Sequence, residues 1–386
     1  MFAPHDQDHG RAGARGLTRN HHGAVARRLR RTAIGAVCAA AVALPLAGAA
    51  TAQAATSAPH TFTSSWTSLA LKNGWADYGF GSAAPAVTNI NGIVHLKGAI
   101  ATHGTNNVPF TLPAGDRPAT DVAVPVDLGG SDAGLMSIAP NGVVSVEPEQ
   151  SWSDAQAFTG LDGVSFATSG SSFTKLTLQN GWANVGGGYA GAAARSVSGI
   201  VHLRGNIRTN GTNDEPFILP AGLRPTHLVY VPVGLCGANN GRLKILSDGE
   251  VFVEAEGGTL SNAECMTSLD GAEFAKSASL YTPLTLQNGW ASYGDGTTSP
   301  AARKISGIVH LEGAMSNSTT PFDPAAFTLP AGFRPTHSVD VSVDTSDANR
   351  GHIEISPNGQ VVVFAEGDVW SNAAFFTSLD GASFAP

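Results

Sequence analysis

Three histidines, His95, His202 and His310, occupy the same place in the strings NGIVHLKG, SGIVHLRG and SGIVHLEG. Imidazole changes charge near neutral pH and is a common metal ligand, so a histidine repeated three times is the first group to weigh for chemistry. Three arginines in AGxRP, Arg117, Arg224 and Arg334, each precede a glutamate by 32 residues, at Glu149, Glu256 and Glu366. Type and spacing together predict a structural ion pair in each copy, clipping a proline turn to a hairpin, with anion capture by the arginine as the alternative. Trp75, Trp182 and Trp290 follow Asn-Gly and precede glycine-rich segments that carry Tyr78, Tyr189 and Tyr293. Aromatic side chains beside variable loops can stack on sugar rings, although a tryptophan after an alternating strand also serves as core. With the three histidines, these six aromatics are the candidate ligand-binding residues. No second ligand stands at metal spacing from any of the histidines, so neither a metal nor a cofactor is expected. G-x-S-x-G, H-E-x-x-H, the P-loop and the dinucleotide fingerprint are all missing, and no catalytic residue is assigned. A carboxylate pair for glycoside hydrolysis forms in space rather than in sequence, which keeps a glycan-cleaving enzyme as a distant third reading.

The elements that position these residues come in three copies. Residues 66–166, 173–274 and 281–384 each open on an aromatic, continue through LxNGW, GIVHL and an F-x-LPAG-x-RP string, and end on Leu-Asp-Gly. A unit of about 100 residues is long enough to bury its own core, so the pattern reads as three tandem domains rather than solenoid repeats. Within each, apolar residues alternate with polar ones, as in GRLKILSDGEVFVEAEG, where Asp248-Gly249 separates two strands. Plentiful glycine and proline and the lack of a helical period predict an all-β chain: three antiparallel β-sandwiches of jelly-roll type, each with six to nine short strands. Ala167–Ser172 and Ala275–Ser279 read as short flexible linkers. Asp162, Asp270 and Asp380, in Leu-Asp-Gly, read as turn formers rather than catalytic acids.

Alternation also assigns faces. Val201 and Leu203 of GIVHLRG should face the core, and Ile200, His202 and Arg204 the other side. The last residue of that set is Lys, Arg or Glu in the three copies. A charge that changes sign freely suits a strand end in solvent, which makes the histidines half-exposed. They would then hydrogen-bond a neighbouring strand or, alternatively, contact a ligand or sense pH.

Residues 1–54 have a different character. Arg27, Arg28, Arg30 and Arg31 precede an apolar run, and Ala52-Gln53-Ala54 follows it, the layout of a secretory signal peptide cleaved after Ala54. Gly35, Pro45 and Gly48 interrupt the run, which argues against a permanent membrane span. Losing its seven arginines and two aspartates leaves 15 of the 22 basic and 28 of the 30 acidic residues. Such an acidic surface repels phosphate backbones and excludes nucleic acid as a partner. In an exported protein, Cys236 and Cys265 should form a disulfide, worth roughly 3–4 kcal/mol for a loop of about thirty residues.

The set LxNGW, GIVHLxG, FTLPAGxRP and LDGxSF resembles modules at the distal ends of tailed-phage tail fibres and related receptor-binding proteins. The match spans residues 66–384, and F-x-LPAG-x-RP is its distinctive part. The resemblance implies a β-sandwich tip that recognises a cell-surface glycan or protein, usually as a homotrimer, and it carries over no specific contact residue. The export signal and the lack of a coiled-coil or collagen-like shaft depart from that family. They favour a free-standing secreted protein that binds a surface glycan or polymer without catalysis, with a self-associating envelope protein as the alternative. Three covalently joined modules would either pack about a pseudo-threefold axis, as a trimer in one chain, or hang as independent beads.

Overall fold

A computed structural model describes residues 65–386; the expected signal peptide lies outside them. The described chain is mostly strand, paired antiparallel within its sheets. Each copy repeats one layout. A four-stranded sheet in the first copy orders Thr67–Ser68, Ala86–Ile90, Ile93–Lys97 and Ser165–Ala167. Trp75–Asp77, Ala99–Thr102 and Thr159–Gly160 form a second sheet, and Val122–Asp127, Ala133–Ile138 and Val144–Pro148 a third. In the third copy the last two sheets fuse into seven strands, because Val339–Thr345 pairs directly with Thr377–Ser378. The first two copies make that joint with single bridges, Leu128 to Thr159 and Leu235 to Thr267. Two-residue segments bring the strand count above the expected six to nine per copy.

Three hydrophobic clusters each draw their residues from one copy. Val94 and Leu96, like Val201 and Leu203, are buried in them, as the alternation predicts. The glycine that ends GIVHLxG has a geometric reason. Gly98, Gly205 and Gly313 all lie near φ +90°, and a Cβ on Gly313 would come 2.6 Å from the Ser299 carbonyl oxygen.

Short α-helices at Trp152–Ala157, Ser261–Glu264 and Trp370–Phe375 were not expected. The first carries its own signal: Ser151 and Asp154 form a capping box, an S-x-x-D string in the sequence. Cys236 and Cys265 are joined, with their Cα atoms 5.7 Å apart. Among the described residues, no helix is long and apolar enough to cross a membrane.

The copies contact one another by one repeated device. The Ser338 N–H donates to the Gly81 carbonyl at 2.9 Å, the Asp121 N–H to Gly188 at 3.1 Å, and the Leu228 N–H to Gly296 at 2.9 Å. First touches third, second touches first and third touches second, so the contacts form a closed cycle. The joints expected to be flexible are tied down. Thr168 N–H bonds Gly92 while its carbonyl accepts from Ala119, and Lys276 is held the same way by Gly199 and Thr226.

Candidate functional site

The GIVHL strands show where the second face goes. His95, His202 and His310 are buried, not half-exposed. Ile93, Ile200 and Ile308 join them around a cavity of about 30 Å³ where the three copies meet. Their non-core face meets the other two copies instead of water. In register opposite the histidines stand Ser165, Glu273 and Ser383. Glu273 lies 3.1 Å from His202 Nδ1 and 3.1 Å from His310 Nδ1, and it accepts a bond from Ser165 at 3.3 Å. It therefore contacts all three copies. Burial alone would raise its pKa, but bonds to His202 and His310 hold the carboxylate well below the usual range. His95 faces Ser165 rather than an acid in its own copy, and burial drives it down to about 4. The charge expected in solvent is also enclosed: Arg204 and Glu312 are buried, and only Lys97 is partly exposed.

The expected ion pairs are not present. Arg117, Arg224 and Arg334 each turn Nε back to a carbonyl five residues earlier, Leu112, Leu219 and Leu329, at 2.8–3.0 Å. No salt bridge among the described residues joins them to Glu149, Glu256 or Glu366. Instead the three glutamates meet one another, with one carboxylate oxygen from each inside a 4.8 Å sphere of separation. This is the set among the described residues whose oxygens are close enough to share a hard cation. Buried Arg350 supplies a counter-charge nearby. Burial and mutual repulsion raise Glu149 to about 7 and Glu256 to about 8. Acids raised in the folded state stabilise fully below their unfolded pKa, and that stability is lost as pH rises through the folded values. Glu256→Gln should therefore flatten the fall in stability between pH 5 and 8.5. After discounting for partial exposure it should retain about 1–2 kcal/mol at the alkaline end, read by urea unfolding across that range.

The tryptophans are core. Trp75, Trp182 and Trp290 are each 5% exposed, and their indole N–H groups donate to Asn106, Asn213 and Asp323 carbonyls at 2.8 Å. No ring face is left for a sugar. The tyrosines lie elsewhere, at the seams between copies. Tyr189 does not match the other two: it occupies the place of Ser82 and Thr297 in the repeated contact.

Each of the three seams presents equivalent positions, and substitution has filled them differently. Between the first and second copies, Leu135 packs with Ala123, Ala238, Tyr189 and Met266, and Gly234 leaves room for it. Between the second and third, Arg242 takes the place of Leu135. It pairs with Glu254 at 2.6 Å and Asp344 at 3.0 Å, and lies 4.6 Å over the Tyr230 ring, while Tyr293 packs on Phe376. At this position both of these seams are filled by a packed or paired side chain.

The seam between the first and third copies is open. His352 holds the position of Leu135 and Arg242, and Asp340 that of Ala123 and Tyr230. The imidazole only approaches its neighbours, at 3.5 Å from Asp127 and 3.9 Å from Asp340. A cleft of about 410 Å³ results. The first copy lines it with Tyr78, Phe80 and Phe158, whose rings lie 5.1 and 4.9 Å from the Tyr78 ring. Phe80 is 89% exposed at φ +48°, an unusual place to leave a phenyl group unpacked. The third copy adds Asp340, His352 and Glu354, and buried Asp127 completes the polar wall. Burial, with Asp127 and Glu354 nearby, raises Asp340 to about 7. Burial opposes charge on His352, yet Asp127 and Asp340 push its pKa above the ordinary value.

A wider hollow of about 760 Å³ lies beside the Arg242 ion pairs between the second and third copies, lined by Asp214, Arg242, Glu254, Glu256 and Asp347 with no aromatic ring. Leu260 lines it at the position that Trp152 and Trp370 hold in the other copies. Of the candidate ligand residues, then, the open cleft uses Tyr78. Phe80, Phe158, Asp340, His352 and Glu354 were missed; alignment of the three copies marks Phe80, Asp340, His352 and Glu354 as divergent, whereas Phe158 matches Phe376 and carries no such signal. No family model, curated protein or solved structure matches this chain.

Proposed function

We propose that the chain is a secreted, non-catalytic protein that binds carbohydrate or another cell-surface polymer, and that its three modules are β-sandwiches of jelly-roll type packed as a one-chain counterpart of a homotrimer. The observation that carries this reading is the open cleft between the first and third copies. An exposed aromatic wall faces polar groups across a few hundred Å³, which is how proteins combine stacking with directional hydrogen bonds for a sugar. The repeated Ser338–Gly81 type of contact supports the pseudo-threefold arrangement, since it recurs at equivalent residues on all three seams. The resemblance to tail-fibre tips points the same way. Glycan-array screening of the chain from residue 55 onward tests the function. Phe80→Ala should weaken any array hit at least ~10-fold, about 1.4 kcal/mol, without lowering the melting temperature, because Phe80 packs little. Binding that ignores Phe80 would place the ligand elsewhere.

A second reading, self-association as an adhesive envelope protein, is favoured by Leu280 and Phe375, which are 67% and 66% exposed. Assembly that rises with concentration in the absence of glycan, read by sedimentation, would support it.

A further inference from the structure

We infer that the cleft between the first and third copies selects a sugar polymer bearing free amines, such as de-N-acetylated hexosamine units. The inference rests on the carbohydrate-binding reading above and specifies its ligand. Three carboxyl groups, Asp127, Asp340 and Glu354, line the polar wall against one imidazole, His352. Asp127 is 3% exposed, and its Oδ1 has no hydrogen-bond partner. Buried Arg350 lies near enough to lend Asp127 some charge without bonding that oxygen, so the carboxyl groups an incoming ammonium, with its three donors, would meet are those of Asp340 and Glu354, backed by Asp127. The opposite wall is aromatic, and the negative faces of Tyr78, Phe80 and Phe158 attract a cation at close range. Both walls therefore favour the same charge. A neutral sugar would leave the carboxyl groups poorly paired, and a uronic or sialic acid would be repelled.

The substitutions that opened this seam created the acidic wall as well. Where the second copy offers Arg242 and Lys244, the third offers His352 and Glu354, and Asp340 replaces Tyr230. Where Arg242 pairs with Glu254 and Asp344 at 2.6 and 3.0 Å, His352 comes no closer than 3.5 Å to a carboxyl group, so the acids of this seam lack an equally close partner. The cleft volume of about 410 Å³ falls in the range that encloses a small ligand.

Titration calorimetry of the chain from residue 55 onward, at pH 7 and 0.15 M salt, tests this with glucosamine tetramer and N-acetylglucosamine tetramer as probes. The free-amine tetramer should bind at least ~10-fold more tightly. Asp340→Asn and Glu354→Gln should each shrink that ratio severalfold, and Phe80→Ala should weaken both ligands. Because the chain is acidic overall, Asp214→Asn in the separate hollow serves as control and should leave the ratio unchanged. Equal binding of the two tetramers would overturn the amine preference while sparing the sugar-binding cleft. A ratio that falls as much in Asp214→Asn as in Asp340→Asn would reduce the preference to general charge attraction and overturn it too. No binding of either tetramer, with neutral glycans bound on the array in a Phe80-dependent way, would reject the amine and keep the cleft; no glycan binding at all would reject both.

Discussion

Glu273→Ala is expected to destabilise the protein by about 3–5 kcal/mol at pH 7, because it removes one member of a buried charged network and strands the rest. Glu273 is 2% exposed and belongs to the second copy, yet its carboxylate meets His202 of that copy, His310 of the third and Ser165 of the first. Removing it leaves two buried imidazoles and a buried hydroxyl without that acceptor, beside a cavity of only about 30 Å³. The same centre makes the protein sensitive to acid. His95 has a folded pKa of about 4 against 6.5 when unfolded. A group depressed in this way contributes stability above its unfolded pKa and loses it as pH falls toward the folded value, here from 6.5 to 4. A shift of that size in a fully buried group amounts to about 3 kcal/mol. Glu273, also depressed, adds a second loss that begins as pH falls into the ordinary carboxylate range and continues down through its folded pKa. His95→Gln should therefore remove the first part of the acid decline and leave the second. Thermal unfolding from pH 7.5 to 3.5 checks this. Because acids raised by burial, such as Glu256, shift stability the other way over the same range, the readout is the difference between wild type and His95→Gln, and a difference that stays constant from pH 6.5 to 4.5 would show that His95 is not enclosed.

Part of this arrangement was legible in the residues. The Val/Leu alternation of GIVHL names the core face correctly, because a side chain pointing into its own module meets that module's residues and local period records it. The opposite face deceived the same logic. Ile and His beside a charge of changing sign look like a half-wet surface, and period two cannot tell water from the face of another module. The buried Arg204 and Glu312 show the limit: a charge that changes sign between copies is enclosed here, and Arg204 bonds Thr120 of the first copy at 3.0 Å. The constant interval from Arg117, Arg224 and Arg334 to the glutamates misled for another reason. In a chain built from three copies every pair of shared positions keeps its spacing, so spacing carries no information about contact. What it concealed is that three equivalent glutamates can meet each other where copies converge. The open cleft was illegible for the converse reason, since Leu135, Arg242 and His352 differ in every respect except position.

Asp270→Ala should cost about 3 kcal/mol, whereas the equivalent Asp162→Ala should cost about 1, although both residues stand in the same Leu-Asp-Gly turn. The turn is real in every copy, but the carboxyl group does more than shape it. Asp270 accepts from the Gly205 N–H at 2.9 Å, the Asn206 amide at 2.9 Å and, across the seam, the Ala123 N–H at 3.4 Å. Asp380 accepts from Gly313 and, across its seam, from Tyr230. Asp162 accepts from Gly98 alone, at 3.2 Å. The adjoining residue follows the same trend: Ser268 and Ser378 donate across their seams to the Ala123 and Tyr230 carbonyls, while the first copy has Gly160 there. Alanine at 270 strands three donors in a buried site, each worth about 1 kcal/mol or more, and alanine at 162 strands one. Burial raises Asp270 to about 6, so carrying its charge at pH 7 already offsets part of what the bonds contribute, which keeps the expected loss near 3 rather than higher. Urea unfolding of the three alanine variants side by side should rank them 270, then 380, then 162. Equal losses would mean that the aspartates act only within their own turns. The predicted order means that the seam beside the open cleft is the one held least by these turns.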